Sequence, residues 1–546
     1  MILPGLFLAT LDQTIVTTAV RTIADDLDSY SRQAWVTTAY LAAATVTTPL
    51  YGKLADGYGR KPLFAAAITL FTVGSALCAF APSMPALAAF RTVQGLGAGG
   101  LIALTFTMIG DLVPARERSR YQGYILAVYG IASLLGPVIG GLLAGQSTIL
   151  GITGWRWVFL VNVPIGLATL VAVITRLRVP SPPRTRTSVD WLGAALLTAG
   201  LVPLLVVADQ GRTWGWASGR SSVCLAVGVV GILGFVLVEA RLGERALLPV
   251  RAFGNRAFAL GVLISFLIGA VVYGAIAVIP QFLQVVKGST PTVAGLQMVP
   301  AVAGLVVGSV VCSRMISRTG RYRKLTMSGI AILTAGSLLA NRVTAEIDVS
   351  AIMAFIFVVG IGLGCVLHPL TVAIQNSLPP TDLGVSTAAA GFFRQIGGTL
   401  GVAVFLSIVF AQLPGRLTSE LETASETAEF RAAVARSMSG SDPAVTALAR
   451  GLAARDPDSL GVVREDSSIV QRLDPALAQP FADAFADAFR AVSPVVCGLG
   501  VAALLAAVMW KELPLRRGSQ TPEVSAVEGA AQMKNLSSGP HSAVTE

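Results

Sequence analysis

Apolar residues run in long blocks through most of this chain, and short polar stretches rich in arginine interrupt them at near-regular intervals. A helix of about 20 apolar residues crosses the ~30 Å hydrocarbon layer of a bilayer. The pattern predicts fourteen such spans, at 2–22, 33–51, 62–82, 86–109, 121–145, 157–177, 189–208, 222–240, 257–283, 293–316, 325–342, 350–373, 386–411 and 491–511. The first block reads as a span and not as a signal peptide, because it lacks basic leading residues and carries Asp12 midway.

Two stretches break the rhythm. Residues 412–490 hold twelve acids and eight arginines, with Phe481, Phe485 and Phe489 recurring every four positions like one face of a helix. The tail after Glu512 is rich in Ser, Gly and Pro, which predicts disorder.

Composition agrees with a lipid solvent. Of 546 residues, 54% are hydrophobic and only 13% charged, with a mean hydropathy of +0.71. A soluble domain carries about 25% charged residues. The net charge of +10 does not point to nucleic acid, because its distribution follows topology. Alternate loops hold nineteen Lys and Arg, among them Lys53, Arg60, Lys61, Arg178, Arg245 and Arg323, while the short loops between them hold six. The excess marks the cytoplasmic side and puts both termini there. The 412–490 segment then lies outside, which its arginines do not oppose, since long loops translocate largely regardless of charge. The five cysteines all sit inside apolar runs without paired spacing, so neither a disulfide framework nor a metal site is expected.

An internal repeat sets the architecture. Gly52-Lys-Leu-Ala-Asp56-Gly57-Tyr-Gly59-Arg60-Lys61 joins spans 2 and 3, and Ser313-Arg-Met-Ile-Ser317-Arg318-Thr-Gly320-Arg321 joins spans 10 and 11. The second is a degenerate echo of the first, eight spans later. A six-helix unit repeated in parallel, with a helix pair inserted between the copies, gives that offset. The expected division is a bundle over 1–180, the inserted spans 7 and 8 over 181–245, spans 9–13 over 246–411, an extracytoplasmic helical segment over 412–490, span 14 over 491–511 and a cytoplasmic tail over 512–546.

These motifs carry a resemblance. The first loop is similar to the signature loop of the major facilitator superfamily, and Arg91-Thr-Val-Gln94-Gly95-Leu-Gly97 in span 4 to its buried-arginine motif. Gly130 with Gly136-Pro137-Val-Ile-Gly140-Gly141 in span 5 resembles the antiporter motif of its exporters. Leu11-Asp12-Gln-Thr14-Ile15-Val16, and Gly154-Trp-Arg-Trp-Val-Phe-Leu-Val-Asn162-Val-Pro164, resemble the fourteen-helix drug:proton antiporter branch of EmrB/QacA type. Two positions depart from the pattern: Gly57 stands where the loop usually has a basic residue, and Ser317 replaces the acid of the repeat. The resemblance implies an all-α major facilitator fold of two six-helix bundles plus an inserted pair, working by alternating access.

The candidate chemistry lies in few residues. Asp12 falls about ten residues into span 1, roughly 15 Å deep, where an ionised carboxylate costs about 2.5–3.5 kcal/mol. It is a proton carrier, a site for a cationic substrate, or a structural acid bonded to neighbouring helices. Arg91 cannot lose its proton and needs an acceptor, so it either tunes a nearby carboxylate, with Gln94 one turn along, or packs and snorkels. Arg394 and His368 are the other polar groups at depth; the histidine either titrates near neutrality or is a satisfied core residue. Pro137 deletes a helical hydrogen bond and Gly140 and Gly141 permit close contact, which the resemblance places near the interface of the bundles. The resemblance implies that Gly52, Asp56, Gly59, Arg60 and Lys61 form a cytoplasmic gate, with Asp56 capping a helix and pairing with loop arginines; the alternative for Asp56 is ordinary loop solvation.

No catalytic residue, metal or cofactor is expected; the proton gradient supplies the energy. No Walker-type phosphate loop occurs, and no soluble segment is large enough for a nucleotide domain. The chain therefore reads as a monomeric multidrug exporter of a bacterial cytoplasmic membrane, exchanging protons for small amphipathic or cationic compounds. The alternatives are a dedicated exporter of one antibiotic or metabolite, or a lipid exporter.

Overall fold

The computed structural model of the protein describes residues 2–27, 33–113, 115–177, 190–243, 246–289, 291–379, 382–440, 442–454, 469 and 472–514. Arg178, Arg184, Arg186, Arg245 and the tail beyond Pro514 lie outside them, as does the side chain of Asp56.

The described residues are helical almost throughout. The first half comprises α1 (Leu3–Asp26), α2 (Gln33–Tyr58), α3 (Arg60–Ala79), α4 (Met84–Leu112), α5 (Ala115–Ala144), α6 (Trp157–Leu160) and α7 (Asn162–Arg176). Next come α8 (Trp191–Trp214) and α9 (Gly219–Leu242), then α10 (Val250–Phe253), α11 (Arg256–Val285), α12 (Pro291–Gln297), α13 (Val299–Thr319), α14 (Arg323–Ala340), α15 (Val349–Ser377) and α16 (Leu383–Ser425). The chain closes with α17 (Ala428–Met438), α18 (Pro443–Ala454), α19 (Pro475–Arg490) and α20 (Ser493–Met509). A two-stranded hairpin, β1 (Thr148–Ile149) with β2 (Ile152–Thr153), precedes α6. Polar caps start several helices: Asp190 accepts from Gly193 N at 2.7 Å, and Asn255 from Ala257 N at 2.9 Å.

Eleven helical stretches among the described residues are long and apolar enough to cross a membrane, so the chain is a multi-pass membrane protein. Predicted spans 2, 5 and 11 fall on α2, α5 and α14, which are not in that set. Threonines dilute α2, and Arg323 and Lys324 dilute the short α14, whereas several side chains of α5 lie outside the described residues.

The helix contacts repeat across the molecule. In the first half α1 packs on α5, α2 on α4, α3 on α4 and α3 on α7. In the second, α11 packs on α16, α13 on α15, α14 on α15 and α14 on α20, the same set displaced by one copy of the repeat. The contacts between halves, α2 with α16 and α5 with α13, exchange with each other under that displacement. Helices α8 and α9 pair together, and α8 touches both α2 and α16.

The two repeated loops share a backbone device. Gly59 has φ +90° and Gly320 φ +69°, each just before the next helix begins, a region that favours glycine. In the second loop Glu512 does what a local acid would do. Its Oε1 accepts from Tyr322 N at 2.6 Å and Arg323 N at 3.1 Å, capping α14 from the far end of the chain. Residues 512–514, expected as the start of a loose tail, are therefore docked, with Asn376 Nδ2 also donating to Pro514 O at 3.1 Å.

Helix α16 continues past residue 411, where span 13 was expected to end, as far as Ser425. Its 43 residues make a rod of about 65 Å, twice the hydrocarbon thickness. The physical reason is its own apolar stripe. Leu413, Leu417 and Leu421 recur every four residues and join Phe430, Leu448, Leu477 and Phe481 in a hydrophobic core that continues into Phe282 of α11 and Ile352 of α15. Phe481, Phe485 and Phe489 of α19 are all buried, as their spacing predicts, and Phe489 packs edge-on against Phe282 at 5.7 Å. Exposed ion pairs, Arg436–Asp474 at 2.8 Å and Arg472–Asp442 at 2.9 Å, lie on this segment. The Arg436 guanidinium, hydrogen-bonded to Asp474, holds that carboxyl below its ordinary range.

Candidate functional site

Asp12 and Arg91 form an ion pair of 2.5 Å, with side chains 0% and 1% exposed. Two amides complete the carboxylate: Gln94 Nε2 and Asn162 Nδ2 each donate to Asp12 Oδ1 at 2.8 Å. Arg91 also donates through Nη1 to Gln94 Oε1 at 2.8 Å and through Nε to Val36 O at 3.3 Å. Its guanidinium lies 4.0 Å over the ring of Tyr40, whose hydroxyl donates to Ala9 O at 3.1 Å. Asn162 Nδ2 reaches Ser75 Oγ at 3.1 Å, and that hydroxyl donates to Phe159 O at 2.9 Å. Five helices, α1, α2, α3, α4 and α7, thus close around one neutral charge pair. The sequence places Asp12 and Arg91 at depth; the structure supplies their partners.

A cavity of about 280 Å³ lies between the halves, walled by α1, α4 and α5 on one side and α11, α13, α15 and α16 on the other. Neither Asp12 nor Arg91 lines it. Neighbours on α1 point about 100° apart, so Gln13 and Thr14 face the cavity while Asp12 faces the sealed cluster. In this arrangement the Asp12 carboxylate is sealed from the cavity. Arg394 and His368 do line it, together with Tyr129 and Tyr273. His368 is buried, and both of its ring nitrogens lack a partner among the described residues. The expected site residues therefore divide in two: Asp12, Arg91 and Gln94 in the sealed cluster, Arg394 and His368 at the cavity.

The glycines of the span 5 motif have distinct contacts. A Cβ on Gly136 would collide with Thr14, and one on Gly140 with Thr18 and the Ile15 carbonyl, so both let α5 lie directly on α1. Gly130 faces Val302 of α13 across the halves, whereas Gly141 meets nothing within 4 Å. Thr14 Oγ1 donates to Ala132 O at 3.1 Å, which ties a cavity-wall residue to this helix. Helix α5 is continuous through Pro137, whose side chain lies outside the described residues.

In the signature loop, Arg60 Nη1 donates to Ala55 O at 2.6 Å, and Lys61 Nζ to Ile174 O at 2.8 Å, anchoring α3 to the last turn of α7. Gly52 is where α2 meets α16: an added Cβ would lie 2.6 Å from the Ala388 Cβ and 2.9 Å from Gly384 O. Gly52→Val is expected to separate these helices. A short thiol cross-linker between Thr48→Cys and Gly391→Cys should react severalfold less when Gly52→Val is also present; unchanged cross-linking would show that the contact tolerates bulk.

Sequence reasoning missed Ser75 and Tyr40, and quoted Asn162 only as part of a motif. The motif Gly154-Trp-Arg-Trp is a joint: Trp155 Nε1 donates to Asp26 Oδ2 at 2.7 Å and Arg156 Nη1 to Ala79 O at 2.6 Å. It fixes the start of α6 against α1 and α3, and so sets where Asn162 enters the cluster.

Residues 2–402 match the model of the Major Facilitator Superfamily. The chain is 33% identical over 423 residues to the Multidrug transporter protein MdtP of Bacillus subtilis (strain 168), covering 76% of each. It is 34% identical over 405 residues to Multidrug resistance protein 3 of the same organism, covering 74% of this chain and 77% of that one. Its fold is similar to that of the proton:xylose symporter XylE, with a TM-score of 0.58 and 15% identity over 96% of this chain and 97% of that one. With a family match over most of its length and a cavity between two halves of repeated helix packing, the chain belongs to the Major Facilitator Superfamily of membrane transporters.

Proposed function

We propose that the protein exports small amphipathic compounds from a bacterial cytoplasmic membrane in exchange for protons, as a monomer with fourteen spans, both termini in the cytoplasm and no cofactor. The drug:proton antiporter branch, two six-helix bundles with α8 and α9 inserted, and the outer position of residues 412–490 belong to the same reading. The names of the Bacillus relatives support export. The observation that carries it is the pairing of a mostly apolar cavity with a sealed carboxylate on the same helix.

Coupling runs through α1. Asp12 holds α4 and α7 through Arg91, Gln94 and Asn162, while Gln13 and Thr14 form cavity wall one residue on. A proton on Asp12 removes its charge, weakens the hold on Arg91 and frees α1 to shift against α5, changing the cavity. Contacts α2–α16 and α5–α13 break and form in turn as the halves rock. One proton moving down 100 mV supplies about 2.3 kcal/mol for that cycle.

Cells overexpressing the protein are expected to accumulate severalfold less of some members of a panel of amphipathic dyes spanning both charges. A protonophore should abolish the difference. Sensitivity to ATP depletion alone, with no effect of the protonophore, would overturn proton coupling.

A further inference from the structure

We propose that the cavity recognises an amphipathic anion, a small organic acid with an apolar body, and that Arg394 and His368 are the residues that select it. The inference rests on the export reading for the direction of transport, and on the cavity alone for the charge of the ligand.

The charge inventory of the cavity is one-sided. Arg394 contributes a permanent cation to its wall, and no Asp or Glu lines it among the described residues. The Asp12 carboxylate is satisfied by Arg91, Gln94 and Asn162 inside the first-half helices, so it does not neutralise Arg394. The aromatic neighbour recorded for the Arg394 guanidinium is the Phe106 ring, 5.9 Å away. A guanidinium in a largely apolar chamber seeks a carboxylate, a sulfonate or water, and repels a cationic guest.

His368 supplies the second observation. It is 1% exposed, it lines the same cavity, and neither ring nitrogen has a protein partner among the described residues. A buried imidazole without a partner is costly unless a guest or water completes it. Neutral, it donates from one nitrogen, which suits an acid oxygen already held by Arg394. Val272, Ile276, Leu305 and Leu367 give the remaining wall an apolar character that suits the body of such a molecule.

The test uses two probes alike except in charge, 4-(1-pyrenyl)butanoate and 4-(1-pyrenyl)butylamine. Binding to the full-length protein in phosphatidylcholine nanodiscs is read by pyrene fluorescence, with empty nanodiscs subtracted. The butanoate is expected to bind about 10–100-fold more tightly than the amine, the range of a charge-assisted hydrogen bond. Arg394→Gln should erase that preference, Arg394→Lys should keep part of it, and His368→Ala should weaken the butanoate alone. Equal binding of the two probes, or a preference that survives Arg394→Gln in a monodisperse protein, would overturn the proposal. Adding phosphatidylglycerol separates a free acid from a lipid headgroup: butanoate affinity should change less than about twofold, and a tenfold loss would assign the site to anionic lipid instead. Dye efflux from cells is measured alongside. Loss of the charge preference with protonophore-sensitive efflux intact defeats this inference only. A firm preference without such efflux defeats the export reading and leaves the anion site standing.

Discussion

Replacing Asp12 by alanine is expected to destabilise the protein by about 3–5 kcal/mol, because it leaves the Arg91 guanidinium buried without its counter-charge. The ion pair itself adds little net stability, since desolvation offsets its attraction; the cost lies in breaking one side only. Thermal unfolding in detergent should show the loss directly. Asp12→Asn keeps the volume, and reorienting the amides of Gln94 and Asn162 can satisfy much of the hydrogen bonding, so it should destabilise less than alanine. It also imitates the protonated acid permanently, and proton-coupled export should fail. The double variant Asp12→Asn, Arg91→Gln removes both charges and should recover most of the stability lost by Asp12→Asn alone, without recovering export. If the double variant exports normally, the pair is structural and the proton travels elsewhere. Asp12→Glu retains a titrating group one methylene longer and should keep partial activity.

Phe481→Ala is expected to cost the 412–490 segment about 3–5 kcal/mol, the range for emptying a buried aromatic site. Phe481 is fully buried among Leu417, Leu477 and Phe485, far along the chain from the cavity residues. This core continues into Phe282, Ile352 and Phe405 of α11, α15 and α16, but Phe481 lies in it among the helices of residues 428–490, so the loss should be felt first there. Limited proteolysis should cut near residues 428–490 at least tenfold faster in the variant, with the rest of the chain intact. Membrane insertion should persist, with export changed in efficiency or range. Global unfolding at the same protease dose would mean that α16 carries the damage into the second half.

Much of this molecule is legible in its residues alone. Apolar blocks place helices because no other backbone satisfies its own hydrogen bonds in lipid. Gly59 and Gly320 announce two equivalent turns, and the stripe Phe481, Phe485, Phe489 announces one buried helix face, since both signals are local. The depths of Asp12, Arg91, His368 and Arg394 follow from counting along their helices. Which way each faces does not. Asp12 turns toward Arg91 and Asn162, 79 and 150 positions away, while Gln13 beside it turns to the cavity. That choice depends on the rotation of α1 against four other helices, a property of packing and not of hydropathy. Ser75, Asn162 and Glu512 were invisible as partners for the same reason: each is an ordinary polar residue until a distant amide, carboxylate or helix end is brought within 3.1 Å of it. The sequence by itself determined the helices, the repeat and the inventory of buried charge. Only the tertiary structure decided that the acid is sealed and the cavity basic, because the sign of a cavity depends on which face of each helix closes around it.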